Sequence, residues 1–336
     1  MAISTSSLTL QQWAMQANDP LIQSIAYSLL ETDSVLSDIA FTTKKTMKVN
    51  GARVLGGLPA MGWRKINEST TVASGTASPF SEQIYIGSNA IDIDRILMMD
   101  ENAVGNPASQ QGKMVLTSWN YDINDKFINN NHSSGDSDAF VGIRQRLDDT
   151  TTWGTNSACK IDGGGVDLSN SGITAATGNT FIRFMETMLD EMGAPEGDGV
   201  VFYMNRNLRR RLGNAVRLMG AGGGFDMTTD AFGRRVMTFR NAKIRTVGVK
   251  ADQTTEIITN TETSAGANGS STYTSMYAVR YGDEYFNGWQ MTPLAVQQIG
   301  LRSDEPTIFR TFLEWPIGLY QTHTRALARV YDIKVA

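Results

Sequence analysis

A chain of 336 residues with 41% apolar and 19% charged side chains can bury a sizeable core, which excludes a wholly disordered protein. Apolar runs are only a few residues long and Met1 to Ser7 lacks the basic and apolar parts of a signal peptide, so the sequence points to a cytosolic protein that does not span a membrane. One cysteine, Cys159, excludes an intrachain disulfide; two histidines leave little for metal or proton-transfer chemistry; and a net charge of −4 disfavours a sequence-specific DNA-binding protein.

Residues 8–40 read as helical pieces. The clearest opens at Asp19-Pro20, a capping residue followed by a proline at the first helical position, with Leu21, Ile22, Ile25, Leu29 and Leu30 on one face. From Gly51 to Leu97 the pattern is extended: Arg53 to Asn67, a polar tip from Glu68 to Pro79, then Phe80 to Leu97, where Ile84 and Ile86, and Ile91 and Ile93, alternate with other residues. That predicts a long two-stranded ribbon. Such a ribbon is marginal alone in water, so it needs a partner surface.

Asn106 and Pro107 can start a helix running to about Asn130, with Val115, Trp119, Ile123 and Phe127 on one side. Gln110, Lys113, Asn120, Asp122 and Lys126 on its other faces predict a helix lying across a surface. A second helix is expected from about Asn179, with Phe181, Ile182, Met185, Met188, Leu189 and Met192 before Gly193 and Pro195; this methionine stripe reads as core. The strand Val200 to Met204 leads into a helix capped by Asn205, where Leu208, Leu212 and Val216 form the apolar stripe and Arg206, Arg210 and Arg217 another face. Strands are expected at Lys243–Val249, Glu256–Thr259, Ser275–Tyr281 and within Ile308–Ile333, with a loop from Asn260 to Thr274. Helices and strands together give an α+β or α/β class.

Charge is uneven along this order. Arg206 to Arg245 carries ten basic and two acidic residues, leaving 20 basic and 32 acidic elsewhere. The block reads as a basic surface meeting an acidic neighbour more readily than as a nucleic-acid platform, because it lacks interleaved aromatics. Catalytic patterns are missing: Gly163-Gly-Gly165 and Gly220 to Gly224 complete no phosphate-binding fingerprint, and no GxSxG or HExxH occurs. Asp136 and Asp138 beside His132 read as a solvated loop past a helix end, and His323 as a surface or interface residue.

The ribbon leading into the Pro107 helix, the stretch Val200-Val-Phe-Tyr-Met-Asn-Arg-Asn-Leu-Arg-Arg-Arg-Leu212, the stretch Met276 to Trp289 and the ending Arg325 to Ile333 resemble the tailed-bacteriophage major capsid proteins of the Hong Kong 97-type shell fold. The resemblance spans nearly the whole chain. It implies an α+β fold with an N-terminal arm (1–50), an extended loop (51–97), a peripheral domain (98–180) holding a spine helix (107–130), an axial domain (181–300) and C-terminal strands returning to the peripheral domain (301–336).

The implied function is structural, with no catalysis, cofactor or metal. Copies form hexamers and pentamers that close into an icosahedral shell around double-stranded DNA, packaged without sequence specificity. The shell would be a virion component assembled in the host cytoplasm, with a portal protein, no membrane, and a decoration protein left open. Arm-like helices begin within about ten residues, where some relatives carry a scaffolding segment, so a separate scaffolding protein is expected. Subunit-contact candidates are Trp63, Arg64, Lys65, Glu68, Asp92 and Asp94 on the ribbon, and Arg206, Arg209, Arg210 and Arg217 on the basic helix. Lys65 is the ribbon's one lysine, for which a plain interface role is preferred over a covalent cross-link. The alternatives are an encapsulin-like compartment shell of the same fold and, more remotely, an α/β enzyme.

Overall fold

The computed structural model describes residues 7–9, 35–54, 58–99, 107–220, 224–229, 235–263, 272–301, 305 and 307–335. The expected arm helix from Asp19 to Leu30 and the Asn106 cap lie outside these residues. Two sheets organise the remainder.

The first sheet has six strands: β1 (Ser7–Thr9), β2 (Ala40–Thr43), β5 (Tyr85–Asp94), β12 (Phe286–Gln290), β13 (Ala295–Leu301) and β14 (Ile308–Gln321). β14 is its axis. It pairs with β5 from Ile308 to Ile317, with β13 over Phe309–Glu314 and with β12 over Ile317–Gln321, each antiparallel. Trp289 on β12 lies opposite Gly318 on β14, and a Cβ at Gly318 would overlap the indole Nε1. Only glycine leaves room for that fully buried ring.

The second sheet runs in the order β6 (Lys160–Asp162), β15 (Leu327–Lys334), β11 (Tyr273–Arg280), β7 (Val200–Met204), β10 (Ala242–Thr246), β9 (Arg235–Phe239) and β8 (Phe225–Thr229). All five residues of β7 are buried, as expected for a strand flanked on both sides. β15 pairs with β11 while β14 pairs in the first sheet, so strands from both sides of residue 301 share each sheet. Expected Glu256–Thr259 contributes only a single bridge, Val249 to Glu256. Asp252 accepts from the Thr254 and Thr255 amides and closes a tight turn there, while Ile257 and Ile258 are buried without a ladder.

Short helix α1 (Arg95–Met99) follows β5, and α2 (Pro107–Asn129) is the long helix expected from Pro107, about 34 Å long. Its buried face differs from the one expected. Leu116, Asn120, Asn124, Phe127 and Ile128 are the buried residues, whereas Val115, Trp119 and Ile123 are half-buried. Asn120 is thus no surface residue. Asn124 donates to Asn120 Oδ1 and accepts from the Val35 amide at 3.1 Å, so both amides are satisfied inside the core. Phe127 meets the rings of Tyr203 and Phe286 edge-on at 5.8 and 6.0 Å, which ties α2 to both sheets.

Helices α3 (Ile143–Asp148) and α4 (Thr150–Trp153) precede β6. α5 (Ala175–Glu191) starts four residues before the expected Asn179, because Thr174 and Thr177 form a reciprocal capping box. Its methionine stripe is core, with Phe181, Ile182, Met185, Met188, Leu189 and Met192 all buried. α6 (Arg206–Met219) is capped by Asn205 Oδ1, which accepts the Leu208 amide at 2.7 Å, and stops at Gly220 with φ +66°.

The ribbon is shorter than its sequence pattern. Strands β3 (Lys48–Val54) and β4 (Ala77–Gln83) pair residue for residue, but Tyr85 onward joins the first sheet as β5. Residues 58–76 form no ladder, since Pro59 lacks an amide donor and Asn67 turns the chain at φ +69°. Their two arms still run close: a Cβ at Gly62 would lie 3.2 Å from Thr71, and one at Gly75 3.2 Å from Pro59.

Candidate functional site

No enclosed catalytic constellation emerges among the described residues, where no three His, Cys, Asp or Glu side chains come together to hold a metal. Burial pushes the Cys159 thiol up to about 12, with Glu191 adding to the shift, so it carries no thiolate chemistry. Asp136 accepts from Lys126 Nζ at 2.6 Å and from the Asp138 amide, and the lysine holds its carboxyl below the usual range; His132 Nε2 donates to the Ala139 carbonyl. These groups close a loop. Surfaces built for contact are what the chain presents.

The first is the ribbon tip. Leu58, Met61, Trp63, Ile66 and Val72 are 74–93% exposed, a concentration of large apolar groups unusual outside an interface. Arg64 donates to the Glu68 carbonyl, while the Glu68 carboxylate accepts the Lys65 amide at 2.9 Å. Candidates Trp63, Arg64, Lys65 and Glu68 therefore lie in or beside one small turn, with Trp63 exposed to solvent.

The base of the ribbon is held by a feature that the sequence pattern did not reveal. Glu82 on β4 sits between two buried guanidinium groups: Arg53 of β3 at 3.0 Å and Arg146 of α3, which reaches both carboxylate oxygens at 2.8 and 2.6 Å. The same carboxylate accepts the Gln321 amide of β14, and Arg53 donates to the Gln321 carbonyl at 2.7 Å and to the Trp153 carbonyl. Burial lowers Arg53 to about 10, against the pull of Glu82. Alternation of Arg53 and Glu82 with neighbours was visible in the sequence, but nothing there marked them as inward or linked them to Arg146, some 60 residues further on.

Asp92 and Asp94 serve within the chain. Asp92 forms a bidentate pair with its cross-strand neighbour Arg310 at 2.7 and 2.6 Å, and Asp94 accepts the Ile96 amide and caps α1. The four helix arginines do converge: Arg206, Arg209, Arg210 and Arg217 line one open concavity of about 430 Å³, with Gly213 and Thr246.

The family model of major capsid protein GP7 matches residues 17–174. No curated protein sequence matches the chain. Solved structures match through nearly its full length at low identity. The holo-SrpI encapsulin complex of Synechococcus elongatus PCC 7942 is 11% identical, covers 100% of this chain and 98% of its own, and gives a TM-score of 0.57. The capsid of a native GTA particle is 11% identical with 90% of each chain covered and a TM-score of 0.58. The capsid of Myoviridae phage XM1 is 11% identical, covers 87% of this chain and 89% of its own, and gives 0.55. A capsid family's pattern thus matches nearly half of the chain, and the fold throughout is the Hong Kong 97-type shell fold of these solved structures.

Proposed function

We propose that copies of this chain assemble as hexamers and pentamers into the icosahedral head shell of a tailed phage, each ribbon tip covering a neighbouring subunit and the shell enclosing double-stranded DNA. The observation that carries the contact is the tip itself. Five large apolar side chains stand in water on a segment without a ladder, while the ribbon's base is fixed by a buried ion network. Covering such groups on a neighbour removes apolar surface from water in proportion to its area. The remaining partners are a separate scaffolding protein that guides closure and a portal protein at one vertex.

Trp63→Ser with Ile66→Ser tests this. The double variant should keep the parental circular dichroism spectrum and thermal midpoint as an unassembled chain, yet give no closed shells by electron microscopy when co-expressed with scaffold. Normal shells from it would remove the tip from the assembly contact.

The likeness to an encapsulin supports a second reading, a compartment shell of the same fold. The contents of purified particles separate the two: nuclease-protected DNA of uniform length supports the head, and a single packaged enzyme supports the compartment.

A further inference from the structure

The basic block resolves into two kinds of cation. Arg240 pairs with Glu186 at 2.9 Å, Arg245 and Lys243 meet Asp38 at 3.2 and 3.8 Å, and Arg211 donates to Asn170 and the Val335 carbonyl. Arg206, Arg209, Arg210 and Arg217 form no ion pair with any described residue, and Arg210 has only Asn207 Oδ1. These four are the ones that share the concavity.

We propose that this concavity binds an anion of linked phosphates. Residues 206, 210, 213 and 217 recur at helical spacing along one face of α6, and Arg209 flanks them. The stripe is about 16 Å long, more than one phosphate needs. Gly213 keeps its middle open: a Cβ there would meet only Arg217 Nη2, at 3.9 Å. Guanidinium groups three and four residues apart repel one another, and a bound polyanion removes that repulsion while accepting paired N–H donors from each.

The lining decides between ligand classes. Among the described residues, arginine, glycine and threonine are its only residue types, with no aliphatic or aromatic side chain. A protein partner would be expected to seat an apolar anchor at the centre of its contact, and a base would be expected to stack on an aromatic ring; phosphates require neither. Inorganic polyphosphate and the phosphodiester backbone of a nucleic acid share this chemistry. The site goes beyond the shell function and does not depend on shell closure, so binding is read on the unassembled full-length chain.

Isothermal titration calorimetry with sodium tripolyphosphate, orthophosphate, an oligothymidylate and poly-glutamate tests the assignment. Tripolyphosphate should bind about tenfold more tightly than orthophosphate, and the variant R206Q/R210Q/R217Q should lose about tenfold of that affinity while Arg183→Gln, on exposed α5 surface, loses none. The triple variant should also match or exceed the parent's thermal midpoint without ligand, which separates lost binding from lost folding. Oligothymidylate binding that needs the same arginines assigns the ligand to a nucleic-acid backbone; tripolyphosphate binding without it assigns a free polyphosphate. Unchanged tripolyphosphate affinity in the triple variant overturns the proposal, as does tighter binding of poly-glutamate.

Discussion

Glu82 is a residue whose loss should weigh heavily on the fold. It neutralises two guanidinium groups that are almost wholly shielded from water, and removing one partner of a buried ion network leaves charge that nothing compensates. Glu82→Ala should destabilise the unassembled chain by about 3–5 kcal/mol, measured as a fall in the urea midpoint at unchanged slope. A change under 1 kcal/mol would mean that water reaches the arginines. His323 makes the chain sensitive to mild acid by a different route. Its Nδ1 accepts the Arg325 amide at 3.0 Å, which needs the neutral ring, and partial burial lowers its pKa, helped by Arg280 and Arg325. The unfolded chain therefore takes up the proton first. The contribution of His323 is complete above the unfolded pKa of about 6.5 and declines as pH falls below it. Thermal midpoints recorded from pH 7.5 to 5.5 should show a shallower decline in His323→Asn than in the parent.

Among the elements, the β12–β14 pairing is the tightest fit. Gly318→Ala places a methyl against the indole of Trp289, so a loss of about 1–3 kcal/mol is expected, and Trp289→Leu in the same chain should make the glycine change nearly silent. Helices and strands with strong local signals were legible: α2 from Pro107, α6 from Asn205, β7 from five consecutive apolar residues and a stop. What stayed hidden depended on contacts distant in sequence. The apolar side of α2 looked like Val115, Trp119 and Ile123, yet the core lies a step round the helix, because Asn120 and Asn124 find partners in each other and in the Val35 amide. Likewise β5 has the alternation of a ribbon strand, and only its register with β14 shows that it belongs to a sheet. At the candidate site, composition exposed the cluster of arginines on α6, but not which of the ten basic residues already had acidic neighbours. The intrachain partners of Asp92 and Asp94 were not legible either, because Arg310 lies more than 200 residues away and α1 is only five residues long.

For the molecule as a whole, the expected division of labour is between a rigid body and a tip that is incomplete alone. Limited proteolysis should distinguish them: the unassembled chain is cut first between Leu58 and Thr76, and assembly protects that segment while the body's digestion rate is unchanged. Cutting there at equal rates before and after assembly would count against burial of the tip by a neighbour.

β14 gives this arrangement a mechanical consequence. Its ten-residue pairing with β5 runs antiparallel along the strand that receives the ribbon, and its last residue, Gln321, is bonded to Arg53 and Glu82 at the ribbon's base. On the assembly proposed above, a pull along β5 from a neighbouring subunit would load these hydrogen bonds together, in shear along the strand. Peeling would break them one at a time. In a shell assembled as proposed, tension reaching the ribbon would be shared by the strands that flank β14.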